Sequence, residues 1–315
     1  MRKRQRLRSF PLPAAAGCLA VALLVSGCSG GATGLAPASA DLSGVRKDAK
    51  LQALLPDDIQ KTRRVVVGTN APYPPFESFR SESDQKFVGL DIDLARAVGK
   101  VLGVRFDFQQ QPFDGLVPGV RSGKYDLVMA GMVDTPDRQK VIDFVDYGVL
   151  VPTLLVNKKK HPDFRTMMSL CGRTVGAQTG TTTIEDIEKN SRACGAAGQP
   201  GSELQAYPVF SQSLLALSSG KVDAVVTNSA LGGYAVKRQG DGPLEIAKKF
   251  NFGTKRDLIG IGVSKQRAGL SEAIRSALRR LKESGVYHRI LEHYGMADYG
   301  LTHYTINGAS KRRHT

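Results

Sequence analysis

RVVVGTNAPYPPFESFRSESDQKFVGLDIDLARAVGKVLGVRFDF, residues 64–108, decides the fold. Val65, Val66 and Val67 make a compact β-branched run that predicts a buried strand. In 91–102, Ile92, Ala95, Val98 and Leu102 recur at helical spacing and predict one apolar face, with Asp91 placed to cap the helix. Residues 104–108 then predict the next strand. Outward from this unit, 114–122 reads as a second helix and 126–130 as a third strand. Strand-helix-strand order repeated in this way implies an α/β sheet with both faces covered.

A second series follows an extended crossover at 149–156. It has strands at 174–177, 204–209 and 222–227, and helices at 181–191 and 211–219. Residues 258–263 look extended, and helices at 270–283 and 286–294 close the chain. The pattern is two α/β units in tandem, without the fixed-period repeat of a solenoid.

The start of the chain bears on compartment. Arg2, Lys3, Arg4, Arg6 and Arg8 precede an uncharged run over 12–25 that ends Val25-Ser26-Gly27-Cys28. That order reads as a secretory signal over 1–27, with Cys28 as the lipidation site. The alternative is a plain signal peptide cut near 38–40. The run is too short to span a bilayer, which needs about 20 residues. Residues 28–60 read as a small-residue tether, up to about Ser43, and a lead-in. The formal net charge is +15 for 315 residues, and losing five basic residues with the signal leaves 15 − 5 = +10. Export argues against nucleic acid as the partner of this basic chain. Of four cysteines, Cys18 falls in the signal and Cys28 takes the lipid. Cys171 and Cys194 remain, and outside the cytosol they most simply form a disulfide.

Seven blocks and a helix end then occur in a recognisable order. They are VGTNAPYPPFE (67–77), VGLDIDL (88–94), FDGLVP (113–118), SGKYDL (122–127), TPDR (135–138), VGAQTGTT (175–182), SGKVDAVV (219–226) and Gly285-Val286-Tyr287. In this the chain resembles the family 3 solute-binding proteins of ABC transporters, the polar amino acid group. The resemblance implies a type II periplasmic-binding-protein fold, in which two α/β lobes joined by a two-strand hinge hold a ligand cleft between them. Lobe 1 is expected at 61–150 and 263–308, lobe 2 at 151–262, and a basic tail at 309–315. The implied function is the extracytoplasmic, lipid-anchored component of an importer, a monomer that hands a small ligand to an ABC permease without cofactor or metal.

Site residues follow from the same resemblance. Arg138 matches the arginine that grips the ligand carboxylate, and its planar fork suits a bidentate bond. Thr181 and Thr182 open a helix whose N-terminus favours an anion. Tyr73, Phe76 and Phe113 are expected as apolar walls, and Gly131 and Val133 line the same pocket. Family positions that usually carry acids for the ligand's ammonium are Asn70 and Asn228 here, and Val133 replaces a Ser or Thr. Losing a charge-assisted bond costs about 1.5–3 kcal/mol. Hence the ligand is expected to be an amino-acid relative with a masked or missing amine, unless Asp134 or Glu77 takes over the contact. The rival reading is an enzyme on the same fold, of the cyclohexadienyl dehydratase type, with Glu77 or Asp134 as acid or base. His288, His293 and His303 form no Ser-His-Asp arrangement. A third reading is a ligand-sensing receptor subunit.

Overall fold

The computed structural model describes residues 39–160, 163–253 and 255–312. The expected signal, Cys28 and the first part of the tether lie outside them.

The lead-in belongs to the first lobe. α1 (Ala49–Gln52) and α2 (Asp57–Thr62) flank the buried Leu55, and α2 buries Ile59. The tether expected to reach Ser43 is already packed at Ala40, whose buried N–H donates to the Asp93 carboxylate at 2.6 Å. Pairing two groups withdrawn from water holds the segment down.

β1 (Arg64–Thr69) leads through the small hairpin of β2 (Ser78–Phe79) and β3 (Phe87–Val88) into α3 (Leu90–Leu102). Asp91 does not cap α3. Gly89 takes that position at φ 133°, where an added Cβ would sit 2.2 Å from the Phe76 carbonyl oxygen. That close approach seats the Tyr73–Phe76 turn on the helix start, with Leu90 N–H bonded to Pro75 O at 2.9 Å. β4 (Arg105–Gln110), α4 (Leu116–Arg121), β5 (Leu127–Val128), α5 (Pro136–Gln139) and β6 (Ile142–Leu150) follow, and both β4 and β5 pair parallel with β1.

Only Val151 separates β6 from β7 (Pro152–Asn157), and with that residue the chain passes to a second sheet. β8 (Thr174–Gln178), α6 (Thr182–Ala196), β9 (Glu203–Tyr207), α7 (Phe210–Ser219), β10 (Ala224–Asn228), α8 (Ser229–Gln239) and β11 (Leu244–Ile246) build it in the order β11-β7-β10-β8-β9. Cys171 and Cys194 are joined within this lobe, Cα to Cα 5.6 Å, so the cross-link ties the approach to β8 to α6.

The second crossing returns the chain to β12 (Asp257–Ser264), which pairs with β6 from Asp257↔Leu150 to Ser264↔Ile142. This moves the end of lobe 2 from the expected 262 to just before Asp257, because a strand's pattern does not say which sheet it will join. The first sheet is thus β4-β1-β5-β12-β6, and in each sheet the strand that carries the first crossing, β6 or β7, runs antiparallel to a neighbour. α9 (Leu270–Glu283) and α10 (Val286–His293) close lobe 1, where Ile274, Ala277, Leu278 and Leu281 pack with Leu94, Val98 and Val101 of α3. α11 (Gly308–Arg312) begins where the basic tail was expected, and Ala309 N–H donates to the Asp134 carboxylate at 3.0 Å. Among the described residues no helix is long and apolar enough to cross a membrane.

Candidate functional site

The residue nominated for the carboxylate stands where the two lobes meet. Thr135 caps α5, accepting from the Arg138 N–H at 3.2 Å, and Pro136 presets the first turn. The short helix aims the Arg138 side chain at lobe 2. Its Nη1 donates to Val133 O at 2.6 Å and its Nη2 to Gly180 O at 2.9 Å, so one guanidinium spans both lobes. The same group lies 5.7 Å from the centre of the Phe113 ring, a cation–π contact. Burial pulls its pKa below the usual range, opposed by Glu185, Tyr73 and Asp134, and an arginine stays charged there.

From lobe 2 comes the start of α6. No side chain caps it, since the Thr181 hydroxyl donates instead to Gln178 O at 2.6 Å. Gly180 sits just before it at φ +78, and a Cβ there would lie 3.0 Å from the Asp114 Cα of lobe 1. A glycine is what lets the backbone come that close.

Arg138, Thr181, Thr182, Asn228, Tyr73, Phe113, Gly131 and Val133 line one shared hollow. Two nominated residues do not. Phe76 is fully buried and backs Tyr73, ring centres 6.0 Å apart, so it is core. Asn70 is buried beside the hollow, donating to Gln111 O at 2.9 Å and accepting from Gln178 Nε2 of lobe 2 at 3.0 Å. Asn228 caps α8 with its oxygen, bonded to Leu231 N–H at 3.0 Å, and its Nδ2 donates to the Tyr73 hydroxyl at 3.3 Å. With that oxygen already accepting at the cap, the neutral amide offers an ammonium no charge-assisted bond.

Neither carboxylate named as a substitute lines the hollow. Glu77 is fully buried, its two oxygens lack a hydrogen-bond partner, and burial beside Asp91 pushes its pKa well above the usual range. Burial therefore favours the neutral form of this acid in the core. Asp134 accepts from Gln139 Nε2 at 2.6 Å and from Ala309 N. Beneath Gly131, buried Asp91 accepts its N–H at 2.8 Å and the Tyr147 hydroxyl at 2.6 Å, and burial raises its pKa to about 6.

Two carboxylates that were not anticipated do face the hollow: Asp186 of α6 and Asp257 at the start of β12. Lys255 Nζ lies 2.6 Å from Asp186 and 3.7 Å from Asp257. Asp186 could have been found from spacing, since it stands four residues after Thr182 and shares its helix face. Asp257 is brought there only by the return of the chain. Phe210, from lobe 2, meets Tyr73 edge-on at 6.4 Å and completes the aromatic wall.

Two α/β lobes, two crossings and a charged hollow at their junction define a cleft-type binding protein. Residues 65–297 match the family of bacterial extracellular solute-binding proteins, family 3, and the chain belongs to it. An arginine-binding protein of Corynebacterium glutamicum is 27% identical over 268 residues, covering 82% of this chain and 83% of that one. Among solved structures, an amino acid ABC transporter substrate-binding protein of Streptococcus pneumoniae bound to L-arginine is 28% identical with a TM-score of 0.68, covering 77% of this chain and 99% of that one. An ancestral amino acid-binding protein described as a precursor of cyclohexadienyl dehydratase is 27% identical with a TM-score of 0.64, covering 77% and 98%.

Proposed function

We propose that the chain is the extracytoplasmic substrate-binding component of an ABC importer. It captures an amino acid or amino-acid derivative by its carboxylate and closes its lobes by bending at the two crossings between the sheets, the first of them at Val151. The observation that carries this is the Arg138 guanidinium of lobe 1 meeting the start of α6 of lobe 2, 2.9 Å from Gly180 O, at one hollow. A carboxylate entering there can take the guanidinium's donors from the protein carbonyls and add the first-turn N–H groups of α6. Because its partners lie on both lobes, it binds the closed form more tightly than the open one and shifts the population toward closure. Relatives that bind arginine support an amino acid as cargo. Asp186 and Asp257 offer a free ammonium a partner, which removes the ground for expecting a masked amine.

Neither carboxylate named for catalysis reaches the hollow, since Glu77 is sealed in the core and Asp134 is engaged away from it. The two that do line it, Asp186 and Asp257, are paired with Lys255. Lipid on Cys28 would hold a monomer at the outer face of the membrane, near a permease that accepts the closed form.

Melting scans over the twenty standard amino acids, followed by calorimetry on those that stabilise, test the reading. One or more should raise the melting temperature and bind at one site, and the deaminated analogue should bind more weakly. Stabilisation by none of them would overturn it.

A further inference from the structure

The hollow contains a charge balance that points to the kind of amino acid it accepts. Among the described residues, its charged lining consists of Arg138, Asp186 and Asp257. One positive and two negative charges leave −1, which suits a ligand of net +1. Lys255 changes the count. Its ammonium bridges both carboxylates, at 2.6 and 3.7 Å, and brings the set to zero. It reaches them from behind, for it lines the adjoining vestibule formed with Asp134, Glu185 and Arg256 and not the hollow itself. Asp186 and Asp257, with Val133 and Thr182, form the shared wall between the two spaces.

We infer that Lys255 is a specificity-determining residue, an internal cation that neutralises one of the two carboxylates and makes the hollow complementary to amino acids of zero net charge. This rests on the amino-acid reading above. With Lys255 in place, the ligand carboxylate pairs with Arg138 and one ammonium satisfies the single negative charge left on the Asp186–Asp257 pair. A second cation, at the end of a basic side chain, would have to displace Lys255 or share its partners. Partly desolvated pairs of this kind are not screened as surface pairs are, so the mismatch is felt in affinity. The pair also supplies the negative charge that the amides at positions 70 and 228 do not: in this hollow it is carried by Asp186 and Asp257. The three members of the bridge come from three places, α6 in lobe 2, the second crossing, and the first residue of β12 in lobe 1.

Arginine and citrulline separate this inference from the function it rests on, because they share length and shape and differ in side-chain charge. Calorimetry should show the unaltered protein preferring citrulline. In Lys255→Met the ratio of arginine to citrulline affinity should rise about tenfold or more, the scale of one charge-assisted contact. Lys255→Arg, which keeps the charge, should leave the ratio near its starting value and so distinguish charge from packing. Arginine preferred by the unaltered protein, or a ratio unmoved in Lys255→Met, overturns the inference while leaving the receptor reading intact. If no amino acid stabilises the protein, both fall.

Discussion

The two lobes share a sheet plan but are stabilised by different means. Lobe 1 buries Glu77, Asp91, Asp93, Asp126, Asp134 and Asp146, while the buried polar side chains of lobe 2, such as Thr153, Asn157, Gln178, Asn190 and Ser213, are uncharged. Lobe 2 instead carries the disulfide. The same division runs through the cleft. Toward an anion, lobe 1 contributes a full positive charge at Arg138, whose neighbours fix its geometry, whereas lobe 2 contributes the partial charge of a helix start, the charged side chain it adds to the hollow being the acid Asp186. Buried charge costs desolvation and is tolerated where hydrogen bonds aim it, so the lobe with the network is the one able to hold a charged grip rigidly. The lobe without one needs a covalent brace.

Removing the guanidinium breaks this comparison most severely. Arg138→Met should weaken amino-acid binding by roughly a hundredfold or more, as when one partner of a buried charged pair is lost. Thr182→Ala, which leaves the backbone N–H groups in place, should cost about tenfold or less. Calorimetry on the two variants checks the ranking, and equal losses would mean that the side chains of α6 carry more of the grip than its backbone does.

Next in size is the brace. Residues 171 and 194 lie 23 positions apart, and closing such a loop stabilises by about 3 kcal/mol in the chain-entropy model. Cys171→Ala with Cys194→Ala should lower stability by about that amount. Hydrogen exchange should show protection lost in β8, β9 and α6 and retained in α3 and α9. Loss spread evenly over both lobes would mean that they unfold as one unit.

How far the sequence allowed these differences to be foreseen depended on how local they are. The first strand and α3 were legible because Val65 to Val67 and the 92–102 stripe carry their period within a dozen residues. Asp91 misled, since an acid at a helix start resembles a cap, yet its partners Gly131 and Tyr147 lie 40 and 56 residues away. α8 went unread because Gly232 and Gly233 interrupt a segment with little apolar stripe. Arg138 and the start of α6 were legible through the resemblance. The Lys255 bridge was not, because its carboxylates are 71 positions apart and meet only when β12 rejoins the first sheet.

The buried acids should make lobe 1 respond to pH. With its folded pKa raised to about 6, against an ordinary value of 3.8, Asp91 holds its proton in the folded state after the unfolded chain has lost it. Between about pH 4 and 6 the folded state binds more protons, so this stabilisation is greatest at the acid end and is lost as pH rises through about 6. The contribution is on the order of 2–3 kcal/mol. Asp91→Asn should flatten that part of the stability profile in denaturant titrations, and an unchanged slope would mean that Asp91 is ionised throughout.

The smallest expected effect sharpens the comparison where the lobes touch. Gln178 Nε2 of lobe 2 donates to Asn70 Oδ1 of lobe 1 at 3.0 Å, a bond between two uncharged groups that exists only while the lobes are together. A neutral bond of this kind contributes about 1 kcal/mol. Breaking it by Gln178→Ala favours the open form, so apparent affinity should fall about fivefold through the population of the closed state. Asn70→Ala should do the same, and the double variant should cost little more than either alone, because each single change already removes the pair. Additive losses would show that the two amides act separately, Asn70 through its bond to Gln111 O and Gln178 through its contact with Pro208 O. The closed form would then be held by the ligand and Arg138 rather than by a latch between lobes.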